Sequence, residues 1–176
     1  MIETTKHSIS DKSHYFLLWG WTVMIGYIVQ FYLKVIIGNA NYYLAWLIVP
    51  VALLFHIFFI IRDKKRVHVK TFISDANRYL WTAVGFAFIV LIFIFSKIGW
   101  QYCYPFYILL YGIGTYISGC FIKFKPLIIG GLFCFPLSVA SSYLNPDTQI
   151  IFGALAVFIS YVIPGHLLRI QYRKQH

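Results

Sequence analysis

The chain has 176 residues, 60% of them hydrophobic, and a formal net charge of +10. Soluble domains are about 45–50% apolar, so this composition and a mean hydropathy of +0.75 exclude an ordinary water-soluble fold. The charge does not point to nucleic acid, because it is gathered in short segments between apolar runs and not interleaved with aromatics on a soluble surface.

A membrane-crossing helix needs roughly 20 mostly apolar residues. Six segments meet this condition: 15–37, 42–61, 79–98, 104–122, 126–143 and 149–168. The expected fold is all-α, a polytopic transmembrane helical bundle of about six spans. A cytoplasmic N-terminal segment 1–14 precedes the membrane domain 15–168, and a basic cytoplasmic tail 169–176 follows it. Span one, from Tyr15 to Ile37, is longer than the roughly 7–15 apolar residues of a signal peptide, so it is expected to be retained.

Orientation follows from Lys and Arg per loop. Thirteen of the fifteen fall in the N-terminus, alternate loops and the tail, all on one face of a six-span chain: Lys6 and Lys12; Arg62, Lys64, Lys65, Arg66, Lys70 and Arg78; Lys123 and Lys125; Arg169, Arg173 and Lys174. Only Lys34 and Lys97 lie on the other face. Both termini are therefore expected in the cytoplasm of a bacterium, with the protein in its inner membrane. There the partners are a bilayer with anionic headgroups, worth about 1 kcal/mol per cation, and a protein partner or a second copy.

Tyr15, Trp19 and Trp21 open span one, Tyr42, Tyr43 and Trp46 open span two, and Tyr79 and Trp81 open span three, as interfacial aromatic belts do. Pro50 in span two and Pro136 in span five are expected to kink their helices, since proline removes an amide and crowds the preceding turn. Their matched positions in a three-plus-three division admit an inverted repeat of the kind transporters use. Span three is greasy throughout and reads as facing lipid.

In span four, Tyr104, Tyr107, Tyr111, Thr115 and Ser118 recur every three or four residues and form one hydroxyl stripe. Gly112, Thr115 and Gly119 form an adjoining small face, and span five adds Gly131, Cys134, Ser138 and Ser141. Small residues let helices approach closely in lipid. Spans four and five are thus the expected bundle centre, either sealed or enclosing a cavity.

The five acids, Glu3, Asp11, Asp63, Asp75 and Asp147, all avoid the middle of the spans, which disfavours a carboxylate-driven pump. His56 is the one ionisable residue well inside a span. It is either a ligand or a neutral imidazole bonded to a carbonyl freed by the kink at Pro50. Gln30 in span one is an interhelical hydrogen bonder or a binding group. Asp75 and Arg78 are spaced to pair at a helix start. Cys103, Cys120 and Cys134 form no CxxC pair. No cofactor, metal set or catalytic constellation is legible.

Pro164-Gly165-His166 resembles part of the P-S-G-H element of acid-phosphatase-type lipid phosphatases, but the upstream Lys and Arg-Pro element is missing. It reads as the stop of span six, with Pro164 breaking the helix and His166 meeting helix carbonyls or lipid phosphate. Ser118 and His166 echo the rhomboid protease layout, yet Tyr116-Ile117-Ser118-Gly119 lacks the G-x-S-G motif.

Asp75-Ala76-Asn77-Arg78-Tyr79-Leu80-Trp81, Tyr111 to Gly119 with Lys123 to Gly131, and Ile159 to Leu168 together resemble a family of small six-span bacterial inner-membrane proteins without an assigned activity. The likeness covers most of the chain and is most specific over 111–131. It implies location and architecture, and brings no reaction. The functional expectation is an accessory or sensory-interaction subunit. The alternative is a small-solute transporter or substrate-binding subunit, its cavity lined by Gln30, His56, Tyr107, Tyr111, Thr115, Ser118, Ser138 and Ser141. Arg62, Lys64, Lys65, Arg66, Asp75, Arg78, Lys123, Lys125, His166 and Arg169 would meet lipid or a partner.

The charge distribution makes a direct prediction. A topology reporter fused after Lys125 should be active in the cytoplasm, and one fused after Asn39 should be active outside it; the reverse pattern overturns the orientation.

Overall fold

A computed structural model describes residues 13–63 and 72–173, and those residues are helical apart from short connections. Span one is α1 (Ser13–Phe31), continued by a π-helical turn at Tyr32–Ile36. Span two starts as a 3₁₀ segment, Tyr42–Leu47, and becomes α2 (Ile48–Asp63). Span three is α3 (Phe72–Ile98). A 3₁₀ turn at Trp100–Tyr102 leads into span four, α4 (Cys103–Ile122), and span five is α5 (Lys125–Ser142). Span six joins α6 (Pro146–Val157), a π-helical stretch at Phe158–Val162 and α7 (Ile163–Arg173). All six are long and apolar enough to cross a bilayer, which makes the chain a multi-pass membrane protein by helix length and hydropathy.

Proline placement explains where the α-helices begin. Pro50, Pro105, Pro126, Pro146 and Pro164 all fall within the first three residues of an α-helix. At the free helix starts of Pro126 and Pro146 the missing amide has no intrahelical acceptor to lose. Pro50, Pro105 and Pro164 each follow a 3₁₀ or π-helical stretch where the hydrogen-bond register changes. Pro50 therefore marks the passage from 3₁₀ to α within span two, and does not act as a mid-helix kink. Nor does Pro164 stop span six, because the helix runs on to Arg173. The preceding π-helical stretch changes the hydrogen-bond register upstream of the proline ring, so a helix can continue from Ile163. Only Pro136 lies well inside an α-helix. The two prolines of the three-plus-three scheme thus occupy different settings.

The first half of α1 packs on α7, which puts the first and last described helices together at one end of the bundle, called here the termini end. Spans one, four, five and six form the packed body. Span two leans on span one and span three on span four, and in each only 11% of the most apolar window is buried, against 50% in span six. Span three faces outward as its composition suggests, but its helix starts seven residues earlier than the apolar run, at Phe72. The expected bundle centre also widens: α4 and α5 are tightly paired, while span one contacts spans two and six and supplies the fully buried Tyr27.

The α4–α5 pair is closed by glycine. A Cβ added at Gly131 would lie 2.5 Å from the Tyr116 amide nitrogen, and one at Gly119 would lie 2.7 Å from that of Ile128. At Gly112 it would meet the Cys134 Cβ at 2.8 Å. Lys123 and Phe124 alone connect the two helices. Phe124 N donates to the Gly119 carbonyl at 3.0 Å, and Lys123 takes a left-handed φ of 51°. This is the Schellman arrangement, which satisfies carbonyls that the helix end leaves unpaired.

Alanine normally improves a helix over glycine by about 1 kcal/mol, whereas overpacking costs roughly 1–3 kcal/mol. Because the obstacle at Gly131 is backbone, Gly131→Ala should lower stability by about 2 kcal/mol in a detergent unfolding titration. Gly85→Ala, with nothing within 4 Å of the added carbon, should be neutral or stabilising. Equal behaviour of the two variants would show that α4 and α5 are not this close.

Candidate functional site

Of the polar side chains expected to line a cavity, Gln30, Tyr111, Ser118 and Ser138 form hydrogen bonds between spans. Gln30 on α1 joins three spans: its Nε2 donates to the Tyr104 hydroxyl at 2.9 Å, and its Oε1 accepts from the Trp46 indole at 3.1 Å. One turn back, Tyr27 and Tyr111 share a hydroxyl–hydroxyl contact of 3.3 Å. Thr115 donates to the Tyr111 carbonyl at 2.7 Å, within its own helix. Ser118 donates to Asn77 Oδ1 at 2.7 Å and accepts from the Trp81 indole at 3.0 Å, tying α4 to α3. Half-buried Tyr107 packs against Phe88 and Phe95.

The stripe therefore faces spans one and three, while the glycines occupy the face against span five. Ser138 crosses the α4–α5 contact with a bond to the Pro105 carbonyl at 2.8 Å. Aromatic rings fill the space behind the stripe: Trp81 lies edge-on to Phe16 and Tyr161, and Tyr111 edge-on to Tyr161. At Gly112, Gly119 and Gly131 the α4–α5 face is so close that an added Cβ would meet the other helix at 2.5–2.8 Å. Ser141 Oγ and Gln149 Oε1, at the far end of the bundle, are buried polar atoms with no hydrogen-bond partner among the described residues.

His56 accepts at Nδ1 from the Trp19 indole at 3.2 Å, with Tyr15 edge-on at 4.9 Å. The expected carbonyl partner is thus replaced by a side chain of span one, because Pro50 sits at the start of α2 and frees no carbonyl beside His56. An accepting Nδ1 requires the neutral ring with its proton on Nε2. His166 is bonded in the same manner, accepting at Nε2 from Trp21 at 3.3 Å. Trp19 and Trp21 project from different faces of α1 and bind spans two and six respectively. Ser118 and His166 consequently have separate partners, and the protease-like layout has no geometric counterpart.

Arg62, Arg78, Lys123, Lys125 and Arg169 are exposed at the termini end. Asp75 meets Arg78 at 3.3 Å, the pair that their spacing suggests. Lys64, Lys65 and Arg66 lie outside the described residues. The three cysteines are free; Cys103 and Cys134 are buried in the packing, and Cys120 is exposed. Among the described residues no group of three His, Cys, Asp or Glu is placed to hold a metal ion.

Sequence reasoning missed the ion pair at the far end. Lys34 Nζ lies 2.7 Å from Asp147 Oδ1 and 5.4 Å from the Tyr42 ring centroid. It fastens the end of span one to the start of span six. The available signal was that Lys34 and Asp147 are both charged residues on the face with fewest cations. No family model, curated protein or solved structure matches this chain, so the likeness over 111–131 attaches it to no identified family.

The hydrogen bonds predict a dry interior. With Cys120→Ala as background, cysteines at Thr115 and Ser138 should stay unreactive toward a small polar thiol reagent, while one at exposed Gln101 reacts. Labelling at Thr115 as fast as at Gln101 would mean that water reaches the stripe.

Proposed function

We propose that this protein is an accessory or sensory-interaction subunit of the bacterial inner membrane, with both termini in the cytoplasm, which works by association rather than by passing a solute through its bundle. The observation that carries this reading is the use of the interior polar groups. Gln30, Tyr111, Thr115, Ser118 and Ser138 each hold a neighbouring helix or their own backbone. A solute pathway through this bundle would have to break several of these bonds. Each broken bond would strand a polar group in an apolar medium at a cost of about 1–3 kcal/mol.

The termini end supports the cytoplasmic orientation. Five described cations are exposed there, and the stretch 64–71, with Lys64, Lys65, Arg66 and Lys70, connects spans that end and begin at the same level. Spans two and three, each packed mainly on one neighbour, leave broad apolar sides for lipid or for the spans of a partner.

The deciding experiment is a mild-detergent purification of the tagged protein from its native membrane, followed by intact-complex mass spectrometry. A stoichiometric protein partner is expected, reduced when Lys64, Lys65 and Arg66 are changed together to Gln. Recovery of the chain alone with a bound small solute would overturn the reading and favour the transporter alternative.

A further inference from the structure

We infer that the seam between spans one and six, at the termini end, is a binding site for one anionic phospholipid. The headgroup phosphate would be held by His166 and Arg169, and the acyl chains would lie along the two spans. This inference needs only the membrane-spanning fold and does not rest on the accessory-subunit reading.

Height is the first support. Twenty residues of helix separate Pro146 from His166, a rise of about 30 Å, which is the thickness of the hydrocarbon core. His166 thus lies toward the termini-end boundary of the hydrocarbon core, and Arg169, one turn further, lies nearer the headgroup layer. Both side chains are exposed, and residues three apart are neighbours on a helix surface. Arg169 has no carboxylate partner among the described residues.

Donor chemistry is the second support. His166 Nε2 accepts from Trp21, so the neutral ring carries its proton on Nδ1. The indole fixes the ring plane as well as the tautomer, with the two ring centroids 6.1 Å apart and nearly perpendicular. An N–H donor is thereby held beside a guanidinium, whose planar set of donors suits phosphate oxygens.

The third support is the surface running away from this corner. On span one, Trp21, Ile25, Ile28 and Tyr32 are exposed at four- and three-residue intervals. On span six, Ile151, Leu155, Phe158 and Ile163 are exposed as well, and the Trp21–His166 bond shows that the two spans meet at this level. Two apolar strips that descend from one pair of donors match a lipid, with its charge at one end and its chains below. A soluble phosphate would use the donors and leave the strips unexplained.

The test places the protein in phosphatidylcholine nanodiscs containing a minor share of phosphatidylglycerol and counts lipids retained in native mass spectrometry. The wild-type protein should retain one phosphatidylglycerol above its bulk share. Arg169→Gln should reduce that enrichment about fivefold, the effect of one cation near an anionic headgroup. His166→Leu should reduce it as well, whereas Arg78→Gln, at the same end on span three, should leave it unchanged. Arg169 is exposed, so its replacement keeps the test valid even where the His166 variant folds poorly. Retention in proportion to bulk composition overturns the proposal. So does an equal loss in the Arg78 and Arg169 variants, which would indicate diffuse charge attraction. Removal of the retained lipid by millimolar inorganic phosphate would show a soluble-anion site instead.

Discussion

The close approach of α4 and α5 governs the rest of the bundle. Gly131 sits so near the Tyr116 backbone, and Gly119 so near that of Ile128, that the two helices touch main chain to main chain. In lipid, helices gain nothing from hiding apolar surface from water, so such contact relies on van der Waals packing. The consequence for α4 is geometric. With one face committed to glycine contact, Tyr104, Tyr111 and Ser118 are turned toward spans one and three. The hydroxyls of α4 thereby attach spans one and three.

Span one is held from several directions by chemically distinct contacts. Trp19 binds His56 of span two, and Trp21 binds His166 of span six. Tyr27 is pressed against Gly153, where an added Cβ would lie only 2.6 Å from the ring. Gln30 connects Trp46 and Tyr104, and Lys34 reaches Asp147. Each interhelical hydrogen bond in a membrane is worth only about 0.6 kcal/mol on average. Their value here is positional: directional bonds spaced along one helix fix its rotation and depth, which dispersion alone leaves loosely defined.

Much of this fold could be read in the sequence, because bilayer thickness turns hydropathy into helix length. The six spans follow from that relation, and the Asp75–Arg78 pair follows from helix periodicity. The partners of the polar residues could not be read. The period of α4 puts Tyr111 and Ser118 on one stripe, but it does not say that the stripe faces Tyr27 and Asn77. That depends on which helix takes the glycine face, a long-range choice. Pro164 misleads for a different reason: a π-helical stretch lets the helix restart at a proline, and its residues, Phe158 to Val162, carry no local signature of that geometry. The helical extension over 72–78 was hidden because those residues are polar enough to fall below a membrane threshold while remaining good helix formers in part.

The turn that permits the α4–α5 contact also explains one charge. Lys123 occupies the left-handed cap position that glycine fills at least cost. For an ordinary L-residue that conformation costs about 1–2 kcal/mol. A cation there faces the carbonyl end of α4, where the helix dipole contributes about 0.3–1 kcal/mol. The dipole term offsets part of the strain, and the two Schellman hydrogen bonds of the turn hold the backbone in this conformation. Lys125 stands two residues later, exposed at the same end. The tightest turn in the bundle thus carries two exposed cations beside the carbonyl end of α4.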